Sequence, residues 1–399
     1  RGRPRPHRSN CGRGRPRYHP ALLDDPAPRR KRRPRFPRVA NPTVFLMSSR
    51  LLLLLSLAAA APALAQSSSL SPTAVAALAK SVALPAGPLG QGNFRFEVDP
   101  SWAKLPAGKT FASTHGGVAV DRAGNIYMSS DGPEGIFVFA KDGRLLRTMG
   151  AELTNLHGLV LREEKGTEYL YGALNKAGKV VKITLDGKLQ WEITKPVQSG
   201  FYDQPADTKK KPANFAPTGV AVGPDGRIYV ADGYGASVIH MYSADRKYLK
   251  TIGTRGAGDN QFATCHGITL DLRYGAPRLL VADRANKRLV HLDLEGKWLG
   301  VPTTDLRLPC AISIMGDYAA VAELQGRVVI VDKAGKVVST LGDNPDQKQW
   351  AQFKLAPEFW QDGIFIAPHG VSFDAQGNLF VQDWNFTGRF TKLKRVAAK

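Results

Sequence analysis

Cysteine is nearly absent from this chain: three in 399 residues, of which only Cys265 and Cys310 lie beyond residue 65. A disulfide framework therefore does not hold the fold together, and roughly 330 residues can bury a large core without one. Long apolar runs are also missing. The longest, Leu51 to Ala61, falls short of the ~20 residues that a membrane span needs, and nothing later reaches that length. Helical periodicity is scarce throughout, which leaves few alternatives to a β architecture.

Positive charge is abundant but unevenly placed. Residues 1–46 hold 14 basic and 2 acidic residues, about +12 of the formal +21, with Arg29-Arg30-Lys31-Arg32-Arg33 as the densest run. A better start follows at Met47. Met47-Ser48-Ser49-Arg50 is a short basic segment, Leu51 to Ala61 is apolar, and Ala63-Leu64-Ala65 fits a small-residue cleavage site. We therefore expect 1–46 to be a translated leader foreign to the natural product and 47–65 to be a signal peptide. Residues 66–91, rich in Ser, Ala and Pro, are expected to be a flexible leader to a domain over 92–399. These readings imply export, to a periplasm or to the exterior, with no membrane span in the mature chain. Nucleic acid is not an expected partner, because the basic excess sits in the excluded leader.

From residue 116 a unit recurs: an apolar strand, a Gly-bearing turn and a second strand. Examples are Val220-Ala221-Val222 to Ile228-Tyr229-Val230, and Val371-Ser372-Phe373 to Leu379-Phe380-Val381. Units begin near Gly116, His157, Thr218, His266, Cys310 and His369. That count predicts an all-β fold, a six-bladed β-propeller. The sixth unit runs out of chain after three strands, so Phe94-Arg95-Phe96-Glu97-Val98 is expected to supply its outer strand and close the ring.

Three units open with His-Gly: His157-Gly158, His266-Gly267 and His369-Gly370, 109 and 103 residues apart (266 − 157 and 369 − 266). They are alternate blades, so the imidazoles should converge on the axis as a three-histidine metal site with an open fourth position, zinc being the expected ion. His115 is one residue out of register, and His240 and His291 fall on third strands. Residues that follow second strands share the same mouth, which adds Tyr234, Arg284 and Trp384. Asp232, Asp283 and Asp383 recur there as structural turn residues. Cys310 occupies the ring position of blade five, either as a further ligand or as a small buried residue. Two insertions, 196–216 and 343–368, enter on that face and could cover it.

The blades resemble NHL repeats over roughly 94–396. Within them, Tyr229-Val230-Ala231-Asp232-Gly233-Tyr234, Gly258-Asp259-Asn260-Gln261-Phe262 before His266, and Val281-Ala282-Asp283-Arg284 resemble the lyase domain of peptidylglycine α-amidating enzyme. That resemblance implies Zn2+ on His157, His266 and His369, Tyr234 as general base, and Arg284 holding the substrate carboxylate. The reaction it implies is cleavage of the N–C bond of an α-hydroxyglycine-type amide, releasing glyoxylate. Calcium, which that family holds through an Asp after the third histidine, is not expected here, because the position is Gly370. A second active-site arginine has no counterpart in Met128-Ser129-Ser130-Asp131, and the cysteine expected after the tyrosine is Gly235. The expected partner is a small-molecule or peptide substrate at the propeller mouth. The alternative is a non-catalytic NHL propeller that binds a ligand or a protein there.

Overall fold

The second strand of each blade is apolar at consecutive positions because both of its faces are covered. Along Arg278–Asp283, Leu279 and Val281 pack toward blade three while Leu280 and Ala282 pack toward blade five. Along Tyr318–Glu323, Ala319 and Val321 pack toward blade four, and Ala320 and Ala322 toward blade six. Successive side chains on a strand point to opposite faces, so a sheet packed between two others needs this pattern.

In the computed structural model, which describes residues 87–202 and 214–396, these sheets form a six-bladed β-propeller. The expected 1–46 leader, the signal segment, residues 66–86 of the second leader and residues 203–213 of the first insertion lie outside the described residues. The innermost strands are Val118–Val120, Leu156–Glu164, Gly219–Val222, Cys265–Asp271, Pro309–Met315 and Pro368–Phe373. Each begins within two residues of the start expected from the sequence. Four short 3-10 turns are the only helical elements among the described residues, and none is long and apolar enough to cross a membrane.

Ring closure follows the expectation. Phe94–Asp99 pairs antiparallel with Arg389–Val396, placing Phe96 opposite Arg395. The sheet then gains a fifth strand, Leu89–Gln91, paired on Phe94–Asp99. Ordered structure thus reaches into the end of the expected 66–91 leader. Ser339 ties this edge to blade five, its hydroxyl donating to Phe94 O and accepting from Gln91 N, each at 2.9 Å.

The recurring acidic residue after the second strand holds the entrance of its own blade. Asp232 accepts from the amides of Ala216 and Ala236, Asp283 from Ala263, and Asp383 from Ile366 and Ala367. Glu323 does the same for Arg307 in blade five. These carboxylates are buried and fix where the inner strand of the same blade starts, and with it the residue presented to the axis.

Candidate metal centre

The His-Gly pair has a physical reason. His157 Nδ1 donates to Thr218 O at 3.0 Å, His266 Nδ1 to Cys310 O at 2.9 Å, and His369 Nδ1 to Gly116 O at 3.0 Å. Each acceptor is the ring residue of the following blade. The following glycine leaves room for it: a Cβ on Gly158, Gly267 or Gly370 would lie 2.6, 2.4 or 2.9 Å from those same three oxygens. At Gly370 this also leaves no room for a carboxylate side chain without backbone movement.

With Nδ1 committed as donor, each Nε2 carries a lone pair toward the axis. The rings form a near-equilateral triangle, with centroids 4.6, 4.7 and 4.8 Å apart. The Tyr234 hydroxyl lies 3.2 Å from both His157 Nε2 and His266 Nε2 and accepts from Arg284 Nη1 at 3.0 Å. His369 Nε2 is buried with no hydrogen-bond partner. A single phenolic O–H satisfies one such lone pair at a time, so the donor set is matched to a cation.

The structure adds His115 to this centre and brings Cys310, the ring residue of blade five, beside it. His115 stands 4.7 Å from His157 and 4.6 Å from His369 between ring centroids. The Cys310 thiol joins His266 and His369. The sets His115, His157, His369 and His266, Cys310, His369 each bring three candidate donor atoms within 4.8 Å of one another. His115 was set aside by its register. Blade one carries Gly116 at the ring position, where a Cβ would lie 2.1 Å from Ser129 Oγ. The ring slot of that blade is filled by no side chain, and the preceding histidine turns into the gap. The Gly116-Gly117 pair, where three other blades have His-Gly, was the available signal. His240 and His291 are engaged elsewhere, with Tyr202 and Thr251 and with Asp271 respectively.

Burial drives the electrostatics. It pushes His157 and His266 well below the ordinary imidazole range and His369 down to about 3. Neutral imidazoles are the metal-binding form. Burial lifts the Cys310 thiol to about 11 and the Tyr234 phenol above its usual value, with the Arg284 guanidinium opposing both. Arg284 alone therefore does not bring Tyr234 to a phenolate.

One side of the centre opens onto an axial cavity of about 310 Å³ lined by inner-strand residues including Val120, Leu161, Val220, Leu270, Ile314 and Ser372. On the other side the 343–368 insertion packs over blades five and six. Phe353 stacks on Trp384 at 3.7 Å, and Trp384 stacks on His115 at 3.8 Å. Leu355, Phe359 and Trp360 cluster with Cys310 and Leu324. The described part of the other insertion goes to the flank of blade three, where the Tyr202 hydroxyl donates to Asp232 at 2.6 Å.

Residues 216–240, which hold Tyr234, match the NHL repeat. The chain is a six-bladed β-propeller carrying an NHL repeat. No curated protein matches it. Among solved structures it is similar to a streptogramin B lyase, with 15% identity and a TM-score of 0.50 over 75% of this chain and 97% of that one. A virginiamycin B lyase from Staphylococcus aureus gives 16% identity and a TM-score of 0.48 over 75% and 100%. A gluconolactonase from Xanthomonas campestris gives 14% and 0.48 over 78% and 98%. At such identities the likeness concerns the fold, and propellers of this fold include enzymes.

Proposed function

We propose that this protein is an exported, zinc-dependent lyase acting on an α-hydroxyglycine-type amide. The observation that carries the reading is the triangle of three Nδ1-anchored imidazoles, with the Tyr234 hydroxyl 3.2 Å from Nε2 of His157 and of His266 and Arg284 donating to that same oxygen. His157, His266 and His369 would hold the ion, which supplies Lewis acidity toward a substrate hydroxyl. The orphaned Nε2 of His369 and the donor-poor surroundings of the other two fit that group.

Arg284 is placed to pair with a substrate carboxylate through its planar fork. With the positive charge of a bound ion added to that of Arg284, Tyr234 would reach the phenolate and take the proton of the substrate hydroxyl. As the oxygen closes to a carbonyl, the C–N bond breaks, the nitrogen leaves with its electron pair and acquires a proton, and the products are glyoxylate and a primary amide.

A second reading is a non-catalytic propeller whose mouth binds a ligand or a protein. The raised pKa of Tyr234 favours it, since a neutral phenol among neutral imidazoles also forms a structural knot. Metal content by mass spectrometry of the purified protein and of His266→Ala separates the two. The lyase reading expects about one zinc per chain, lost in the variant, and glyoxylate released from α-hydroxyglycine amides. No bound metal after zinc supplementation overturns it and leaves the binding propeller.

A further inference from the structure

His157 and His369 belong to two triangles of imidazoles at once. One is completed by His266, with centroid distances of 4.6 and 4.8 Å, and the other by His115, at 4.7 and 4.6 Å. Each neutral Nε2 has one lone pair and serves one ion. Two ions cannot share His157 and His369, so both triangles address the same ion.

His115 turns its Nε2 toward the centre as the other three do, but the acceptor behind its Nδ1 stands beyond hydrogen-bond reach. Its Nδ1 faces outward to an acceptor, Asp131 Oδ2 at 3.9 Å, while its Nε2 faces the Tyr234 hydroxyl at 3.5 Å. Asp131 is itself held by the Ser113 hydroxyl at 3.1 Å. A carboxylate that closes to hydrogen-bond distance behind a histidine orients it as a metal ligand. The difference lies in stiffness. His157, His266 and His369 lean on backbone carbonyls at 2.9 to 3.0 Å in the strand framework. His115 leans on a distant side chain and on the face of Trp384, which is stacked on Phe353 from the 343–368 insertion.

We propose that His115 is a fourth, exchangeable protein ligand, one that closes the metal centre at rest and yields its position to an incoming substrate oxygen. This rests on the metal reading above and deepens it: the insertion that clamps Trp384 then sets how readily the centre opens.

The test uses cobalt(II) as the metal and azide as the incoming ligand, with the full chain and the variants His115→Gln and Asp131→Asn. Titration with cobalt(II) gives affinity, visible absorption gives coordination, and circular dichroism confirms that each variant is folded. We expect His115→Gln to keep one cobalt per chain but bind it about tenfold or more weakly. Its spectrum should change, and it should take up azide at lower concentration than the parent. Asp131→Asn should shift both quantities in the same direction by a smaller factor, and it carries the test if His115→Gln does not fold. Cobalt affinity and spectrum identical in all three proteins would overturn the role of His115 while leaving the three-histidine site standing. Failure of the parent protein to bind cobalt at all would overturn both.

Discussion

A Cβ on Gly267 would lie 2.4 Å from the carbonyl oxygen of Cys310, the atom that accepts His266 Nδ1 at 2.9 Å. The glycine and the histidine beside it are therefore one device. The first lets the next blade approach, and the second uses the atom so approached to fix its tautomer and aim. Gly267→Ala should push the Cys310 carbonyl away and release His266. We expect about 1–3 kcal/mol of destabilisation from the overpacking and a loss of about 10–100-fold in zinc affinity. Isothermal titration beside urea unfolding reads both. An alanine variant with unchanged affinity would show that the carbonyl does not position the ligand.

Tyr234 touches the imidazoles without being needed to hold an ion, because three nitrogens already suffice. Tyr234→Phe should retain one metal per chain and lose turnover by about 10²–10⁴-fold, the usual contribution of a general base. Loss of metal in this variant would assign the phenol to the ligand set. Full activity would remove it from the chemistry.

The ring and its closure were legible because their signals are local. His-Gly, the Gly-bearing turns and the shortfall of one strand after Arg389–Val396 each follow from backbone requirements at a known register. His115 was not legible by register, because the rule that places one ring residue per blade fails where that residue is Gly116 and offers no side chain. The cover formed by Phe353 on Trp384 depends on contacts between residues 31 apart in different elements (384 − 353), which no periodicity encodes. Leu89–Gln91 was read as leader because it ends a stretch rich in Ser, Ala and Pro. Its pairing with Phe94–Asp99 comes from tertiary context. The acidic residues were expected to serve their own turns. Asp232 does so through Ala236, but its second bond, to Ala216, crosses to the start of the blade.

Closure by the N-terminal strand should be worth several kcal/mol. Phe96 is fully buried between blades five and six, in the cluster that includes Ala320, Val328, Val371 and Leu393. Phe96→Ala should cost about 3–5 kcal/mol in urea unfolding, the range for truncating a core phenylalanine. A cost under about 1 kcal/mol would mean that the blade holds together without this strand.

Blade four contains a buried ion pair that should give the protein an acid-sensitive contribution far from the metal centre. Asp271 is fully buried and accepts from Arg273 Nε at 2.9 Å, Arg273 Nη2 at 2.7 Å and His291 Nε2 at 3.1 Å. Burial alone raises its carboxyl, but the hydrogen bonds from His291 and Arg273 outweigh it and hold the group well below the usual carboxylate range. A folded-state pKa depressed in this way stabilises the protein fully above the unfolded value of about 3.9. That contribution is lost as pH falls below it toward the folded value. Asp271→Asn leaves the Arg273 charge buried without its counter-ion, at a cost of about 3–5 kcal/mol near pH 7. Below about pH 4 the parent carboxyl itself becomes neutral in the unfolded chain, so the gap between parent and variant should narrow steadily with acid. Urea unfolding of both proteins from pH 7 to pH 3 measures that gap. A difference that stays constant over the range would mean that Asp271 contributes through shape and hydrogen bonding rather than through its charge.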